Sequence, residues 1–121
     1  MKAYCLSQET QARFAICTDD RPVGGIGLSP GTDIERVNAE IGYWLGRNCR
    51  GRGIVTATLE ALTRHAIVAF NLTRVFAVPF VENAASIRVL EKAGFVCEGL
   101  MKQSAIKDGV VRSRYLSAYY A

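Results

Sequence analysis

Glu40, Ile41, Gly42, Tyr43, Trp44 and Leu45 form a run rich in aromatic and branched residues, the composition of a β-strand. The basic, glycine-rich stretch Arg47, Asn48, Cys49, Arg50, Gly51, Arg52, Gly53 follows it directly. Beyond that, Val55, Leu59, Leu62, Ala66 and Phe70 step by four, three, four and four, which predicts an amphipathic helix of about five turns. Glu60, Thr63 and Arg64 fall between these positions, and Asn71 closes the helix. Arg74–Val78 is strand-like again and stops at Pro79. A strand, a long helix and a second strand close into one sheet through a crossover, so this segment predicts a parallel pair.

The flanks read as antiparallel. Phe14–Thr18 and Val23–Leu28 are short β-prone runs around Asp19, Asp20, Arg21 and Pro22, the signature of a hairpin turn. A polar stretch from Ser29 to Asn38 leads into the Glu40 strand, where Gly42 predicts a bulge. Asn83 stands as an N-cap before a helix over Ala84–Ala93, and Gly94 takes the left-handed position at its end. Phe95–Ile106 and Val110–Tyr120 flank Lys107, Asp108 and Gly109, and Asp-Gly is a strong hairpin signal. The predicted order is β-β-β-α-β-α-β-β. It makes an α/β (α+β) fold with one mixed, mostly antiparallel sheet and helices on its faces, in a single domain spanning residues 1–121.

Composition narrows the function. With 121 residues, 50% of them hydrophobic, the chain can build a core without metal or disulfide staples. Cys5, Cys17, Cys49 and Cys97 show no metal-ligand spacing, and none lies beside the single histidine, His65. No metal site is expected. The absence of a signal-like start or a long apolar run predicts a cytoplasmic protein with reduced thiols and no membrane partner. Fifteen basic against eleven acidic residues give a net charge of +4, a sign that suits an anionic ligand.

Gly51-x-Gly53 sits where the free N–H groups and positive dipole end of the long helix face the loop. Taken alone it is either an anion cradle or an ordinary turn. A dinucleotide fingerprint fails at Thr56, and no P-loop lysine is present. Asn83 is explained by capping alone, Ser86 reads equally as a solvent-facing serine, and Glu40 as a surface charge.

In order and spacing, Glu40–Leu45, then Arg50-Gly-Arg-Gly53, then Asn83-Ala-Ala-Ser86-Ile-Arg-Val-Leu90-Glu-Lys-Ala-Gly94-Phe95-Val-Cys-Glu98-Gly99 resembles the RimJ/RimL-like branch of the GNAT superfamily of acetyl-CoA-dependent N-acetyltransferases. The resemblance implies acetyl-CoA as cosubstrate, lying in a V-shaped opening between the Glu40–Leu45 and Arg74–Val78 strands that a bulge splays apart. It puts the pyrophosphate on the backbone of Asn48, Cys49, Arg50, Gly51, Arg52, Gly53 and Ile54. Backbone groups of Tyr43 and Leu45, together with Asn83, would hold the pantetheine arm. Glu40 is implied as the acceptor of the amine proton and Ser86 as the donor to the leaving sulfur. Asn48 stands where much of the superfamily has Gln or Arg, and Ser113 near where this branch often carries an aspartate that bears on acceptor binding.

The activity implied is acetyl transfer to a primary amine, a protein N-terminus or a small molecule, by direct attack. The alternative is a CoA-binding module with weak or no catalysis. Nucleic-acid binding through the basic loop is disfavoured by the lack of interleaved stacking aromatics. Relative to the family pattern, the first strand and helix pair are reduced to residues 1–13, where Gln8, Glu9, Thr10 and Gln11 make a poor strand. Phe14–Thr18 would then be an exposed edge, which predicts a homodimer.

Overall fold

The computed structural model describes residues 4–10, 13–18, 21–45 and 54–121. Among these residues seven strands and two α-helices follow one another as β1 (Tyr4–Thr10), β2 (Arg13–Thr18), β3 (Arg21–Pro30), β4 (Asn38–Leu45), α1 (Ile54–Ala69), β5 (Arg74–Ala77), α2 (Ala84–Lys92), β6 (Val96–Lys107) and β7 (Val110–Tyr120). They form one sheet in the order β1-β2-β3-β4-β5-β7-β6. Every neighbouring pair is antiparallel except β4 and β5, the parallel pair joined by the α1 crossover. The expected α/β class, mixed sheet and element order hold, with one strand added at the start.

That strand corrects the reading of the N-terminal segment. Tyr4–Thr10 pairs antiparallel with β2 from Tyr4↔Thr18 to Thr10↔Arg13. Backbone pairing across a short connection outweighs the low β-propensity of Gln8 and Glu9, as neighbouring strands often dictate. The edge of Phe14–Thr18 is therefore covered by β1, and the argument for a homodimer from that edge falls. Arg21 and Pro22 also lie in β3, opposite Thr18 and Cys17, instead of in the turn.

The core lies between the sheet and the two helices. Ile26, Leu28, Ala39, Ile41, Val75 and Ala77 come from alternate positions of β3, β4 and β5, and pack with Leu59, Leu62, Ala66, Leu90 and Phe95. Period-two alternation puts these side chains on one face and their neighbours on the other. Thr63 was expected on the outer side of α1, yet it is fully buried and its hydroxyl has no partner among the described residues. With Leu59, Leu62 and Ala66 it completes the i, i+3, i+4, i+7 stripe that faces the sheet. Asn71 ends α1 in the left-handed conformation (φ 53°), and the Leu72 N–H donates back to the Ile67 carbonyl at 2.9 Å. This is the capping pattern of a left-handed C-terminal residue.

Gly94 has φ 96°, as its place after α2 predicts, and a Cβ there would come 3.1 Å from the Tyr119 ring. Asp108 (φ 53°) and Gly109 (φ 76°) form the two-residue turn joining β6 to β7. Among the described residues no helix is long and apolar enough to cross a membrane.

Candidate active site at the split between two parallel strands

β4 and β5 pair only at Asn38↔Arg74, Ala39↔Val75 and Glu40↔Phe76. Beyond Glu40 they separate, because each follows its other neighbour. β4 stays in unbroken register with β3 from Pro30↔Ala39 to Gly24↔Leu45. The chain after β5 stays with β7: the Tyr115 N–H donates to the Pro79 carbonyl at 2.9 Å and the Val81 N–H to the Ser113 carbonyl at 3.2 Å. Pro79 has no N–H to offer a second strand. The bulge expected at Gly42 is absent from the β3–β4 register, so divergence of partners, not an extra residue, opens the sheet. From Ile41 to Leu45 one flank of β4 has no strand paired to it among the described residues.

Alternation distributes the candidate side chains to the two sides of this opening. On the helix side, Tyr43 is half-buried and reaches from β4 to α2, where its hydroxyl lies 2.7 Å from Ser86 Oγ and 3.2 Å from the Ser86 carbonyl oxygen. Asn83 caps α2 as expected, its Oδ1 accepting from the Ser86 N–H at 3.1 Å. Burial pushes the Tyr43 phenol above its ordinary value of 10.0, and the hydrogen bond with Ser86 partly opposes that rise. The structure thus brings Tyr43, Asn83 and Ser86 together.

Glu40 is on the opposite face. It lines an open depression of about 310 Å³ with Ser29, Glu35, Asn38, Arg74 and Phe76. A Cβ added to Gly42, which follows Glu40 on the same face, would meet nothing within 4 Å. The Arg74 guanidinium donates to Asn38 Oδ1 at 3.1 Å, pairs with Glu98 and lies 5.0 Å from the centre of the Phe76 ring. The Tyr120 hydroxyl donates to the other Glu98 oxygen. Tyr120, then Arg74, hold the Glu98 carboxyl below its usual range. Among the described residues Arg74 makes no ion pair with Glu40, which leaves the depression its carboxylate.

The loop motif Asn48, Cys49, Arg50, Gly51, Arg52, Gly53 lies outside the described residues, although Ile54 begins α1 immediately after it. The depression around Glu40 was missed from sequence. Its signal was present in the period-two placement of Asn38 with Glu40 and of Arg74 with Phe76. Ser113, where the resemblance suggested a change in acceptor contacts, accepts the Gln103 N–H at 3.1 Å within the last hairpin. No group of three or more His, Cys, Asp or Glu able to hold a metal ion occurs among the described residues.

Among the described residues, a mostly antiparallel sheet opens at its one parallel pair with a capped helix beginning at the opening, which defines a mixed α/β domain with a cleft between two strands. The chain belongs to the GNAT acetyltransferase domain family, whose pattern it matches over residues 1–96. It is 37% identical over 93 residues to the ribosomal-protein-serine acetyltransferase of Escherichia coli, covering 75% of this chain and 50% of that protein. With the probable N-acetyltransferase YjcK of Bacillus subtilis it shares 34% over 107 residues, 87% of this chain and 59% of the relative. The structure of Mycobacterium smegmatis RimJ in complex with CoA-disulfide superposes with a TM-score of 0.83 at 36% identity, covering 90% of this chain and 52% of that one. The chain spans between half and three-fifths of the length of these relatives.

Proposed function

We propose that the chain transfers an acetyl group from acetyl-CoA to a primary amine, a protein N-terminus or a small-molecule amine, by direct attack and in the cytoplasm. The observation that carries this reading is the split itself, with a carboxylate on one face and a hydroxyl on the other. The unpaired flank of Ile41–Leu45 offers backbone donors and acceptors to an extended arm bearing amides, in the manner of an added strand. Tyr43 and Leu45 are the backbone contacts proposed, and the Asn83 amide nitrogen would donate to the same arm. The pyrophosphate is assigned to the backbone of residues 48–54, where the start of α1 and the side chains of Arg50 and Arg52 favour negative charge.

Acetyl-CoA supplies an activated thioester. The amine approaches from the Glu40 depression, and Glu40 takes its proton, directly or through a water. The C–N bond forms as the C–S bond breaks, and the electron pair of that bond goes to sulfur. Ser86 donates a hydrogen bond to the sulfur. A covalent acyl-enzyme is not invoked, since neither Ser86 nor Cys97 has a histidine base beside it among the described residues.

The test is a thiol-release screen over a panel of amines, including peptides with free serine and alanine N-termini because the E. coli relative is a ribosomal-protein-serine acetyltransferase. Glu40→Gln is expected to lower turnover about 100-fold with the acetyl-CoA dissociation constant within about twofold of the parent. Binding of acetyl-CoA without turnover on any amine would reduce the chain to a CoA-binding module.

A further inference from the structure

In the proposed reaction Tyr43 acts only through its backbone, yet its side chain makes a polar bridge from β4 to α2 across the split. The bridge holds two protons, one on each hydroxyl, and three oxygens, counting the Ser86 carbonyl. Two arrangements are possible. If the phenol donates to the carbonyl, the serine proton is spent on the phenol oxygen and nothing remains for a ligand. If the phenol donates to Ser86 Oγ, the serine proton is released toward the opening.

Distance favours the second. The 2.7 Å contact to Oγ is a full-strength O–H···O hydrogen bond, whereas 3.2 Å to the carbonyl is beyond the usual range for a hydroxyl donor. Because burial raises the Tyr43 phenol above its ordinary value, the proton stays on the phenol throughout the neutral range and it remains a donor. A hydroxyl that accepts one hydrogen bond also donates a stronger one. The serine is held at its other end by the Asn83 cap, which fixes its N–H.

Building on the acetyl-transfer reading, we infer that Tyr43 is a positioning residue: its hydroxyl, spanning β4 to α2, orients Ser86 so that the serine proton faces the departing sulfur. Tyr43 itself does not touch the thioester. No proton leaves the pair during transfer; the thiolate formed when the C–S bond breaks accepts a hydrogen bond from Ser86 and takes its proton from solvent afterwards.

The acidity of the CoA thiol bound to the protein reads this arrangement without any amine. Thiolate absorbance during a pH titration should show the bound thiol more acidic than free CoA. In Tyr43→Phe its pKa should rise by about one unit toward the free value, the loss of about 1.4 kcal/mol of thiolate stabilisation. Ser86→Ala, which keeps Tyr43, should produce the same rise and guards against a folding defect in the first variant. Where turnover is measurable, Tyr43→Phe should lower kcat about tenfold with the acetyl-CoA dissociation constant within about twofold, and the double variant should lose no more than Ser86→Ala alone. A shifted thiol without turnover supports the Tyr43 role and defeats the catalytic reading. Turnover with an unshifted thiol, or losses in the two single variants that multiply in the double, overturns the Tyr43 role. Failure to bind CoA overturns both.

Discussion

Strand β4 is closed on both sides at Ala39 and Glu40 and open on one side from Ile41 to Leu45. In the closed stretch each residue has a strand on either hand, and Ala39 is buried in the same cluster as Val75 and Leu59. In the open stretch β3 still fixes the register, but the β5 flank is left to a ligand. The contrast separates stability from function along eight residues of one strand. Substitutions around the closed stretch and at Ile41, which is buried in the same core, should unfold the domain, and substitution of the half-buried Tyr43 side chain in the open stretch should leave it folded and alter what it does.

Leu59→Ala should have the largest effect on stability. Its side chain is wholly buried beneath the sheet, and truncation should cost about 3 kcal/mol in a denaturant titration, with the unfolding slope unchanged. A loss under about 1 kcal/mol would mean that the core around the closed stretch is loose. Asn83→Ala comes next: removing the cap on α2 should cost about 1 kcal/mol and also weaken acetyl-CoA binding, since the residue serves both helix and opening. Loss of stability with unchanged affinity would confine Asn83 to capping.

Glu98→Gln tests the face behind the closed stretch through pH. The Tyr120 hydroxyl and Arg74 lower the Glu98 pKa in the folded protein, so the charged form adds stability above the ordinary carboxylate range. That contribution disappears as pH falls through the lowered folded value. Thermal melts of Glu98→Gln should therefore fall less steeply than the parent below about pH 4. Parallel melting curves would show that the Arg74–Glu98–Tyr120 contacts are too solvated to matter. Ser86→Ala should have the smallest effect on folding, within about 0.5 kcal/mol of the parent. Its turnover should nevertheless fall about tenfold, and a variant with full turnover would return Ser86 to a plain helix residue.

What sequence made visible and what it hid follow the same division. The helix ends at Asn71, Asn83 and Gly94 and the Asp108-Gly109 turn were readable because each depends on one residue's local chemistry. The split was anticipated from the family resemblance, but its cause was misassigned to Gly42. Divergence depends on which neighbour each strand follows, and that information resides in β3 and β7. The burial of Thr63 is set by its position on the helix and not by its hydrophobicity, so an apolar periodicity does not show it. The Tyr43–Ser86 bridge joins residues 43 positions apart, which neither periodicity nor spacing can pair. Cys5 and Cys17, far apart in sequence, likewise become direct register partners only once β1 is in place.

Backbone amide chemical shifts during titration of the protein with acetyl-CoA test the central claim most directly. The account predicts the largest changes at Ile41–Leu45, across residues 48–54 and at Asn83–Ser86, with Ala39 in the closed stretch and Lys107–Val110 at the far hairpin turn nearly still. Saturable changes centred on the hairpin or on β1 and β2, with the open stretch of β4 unmoved, would contradict it.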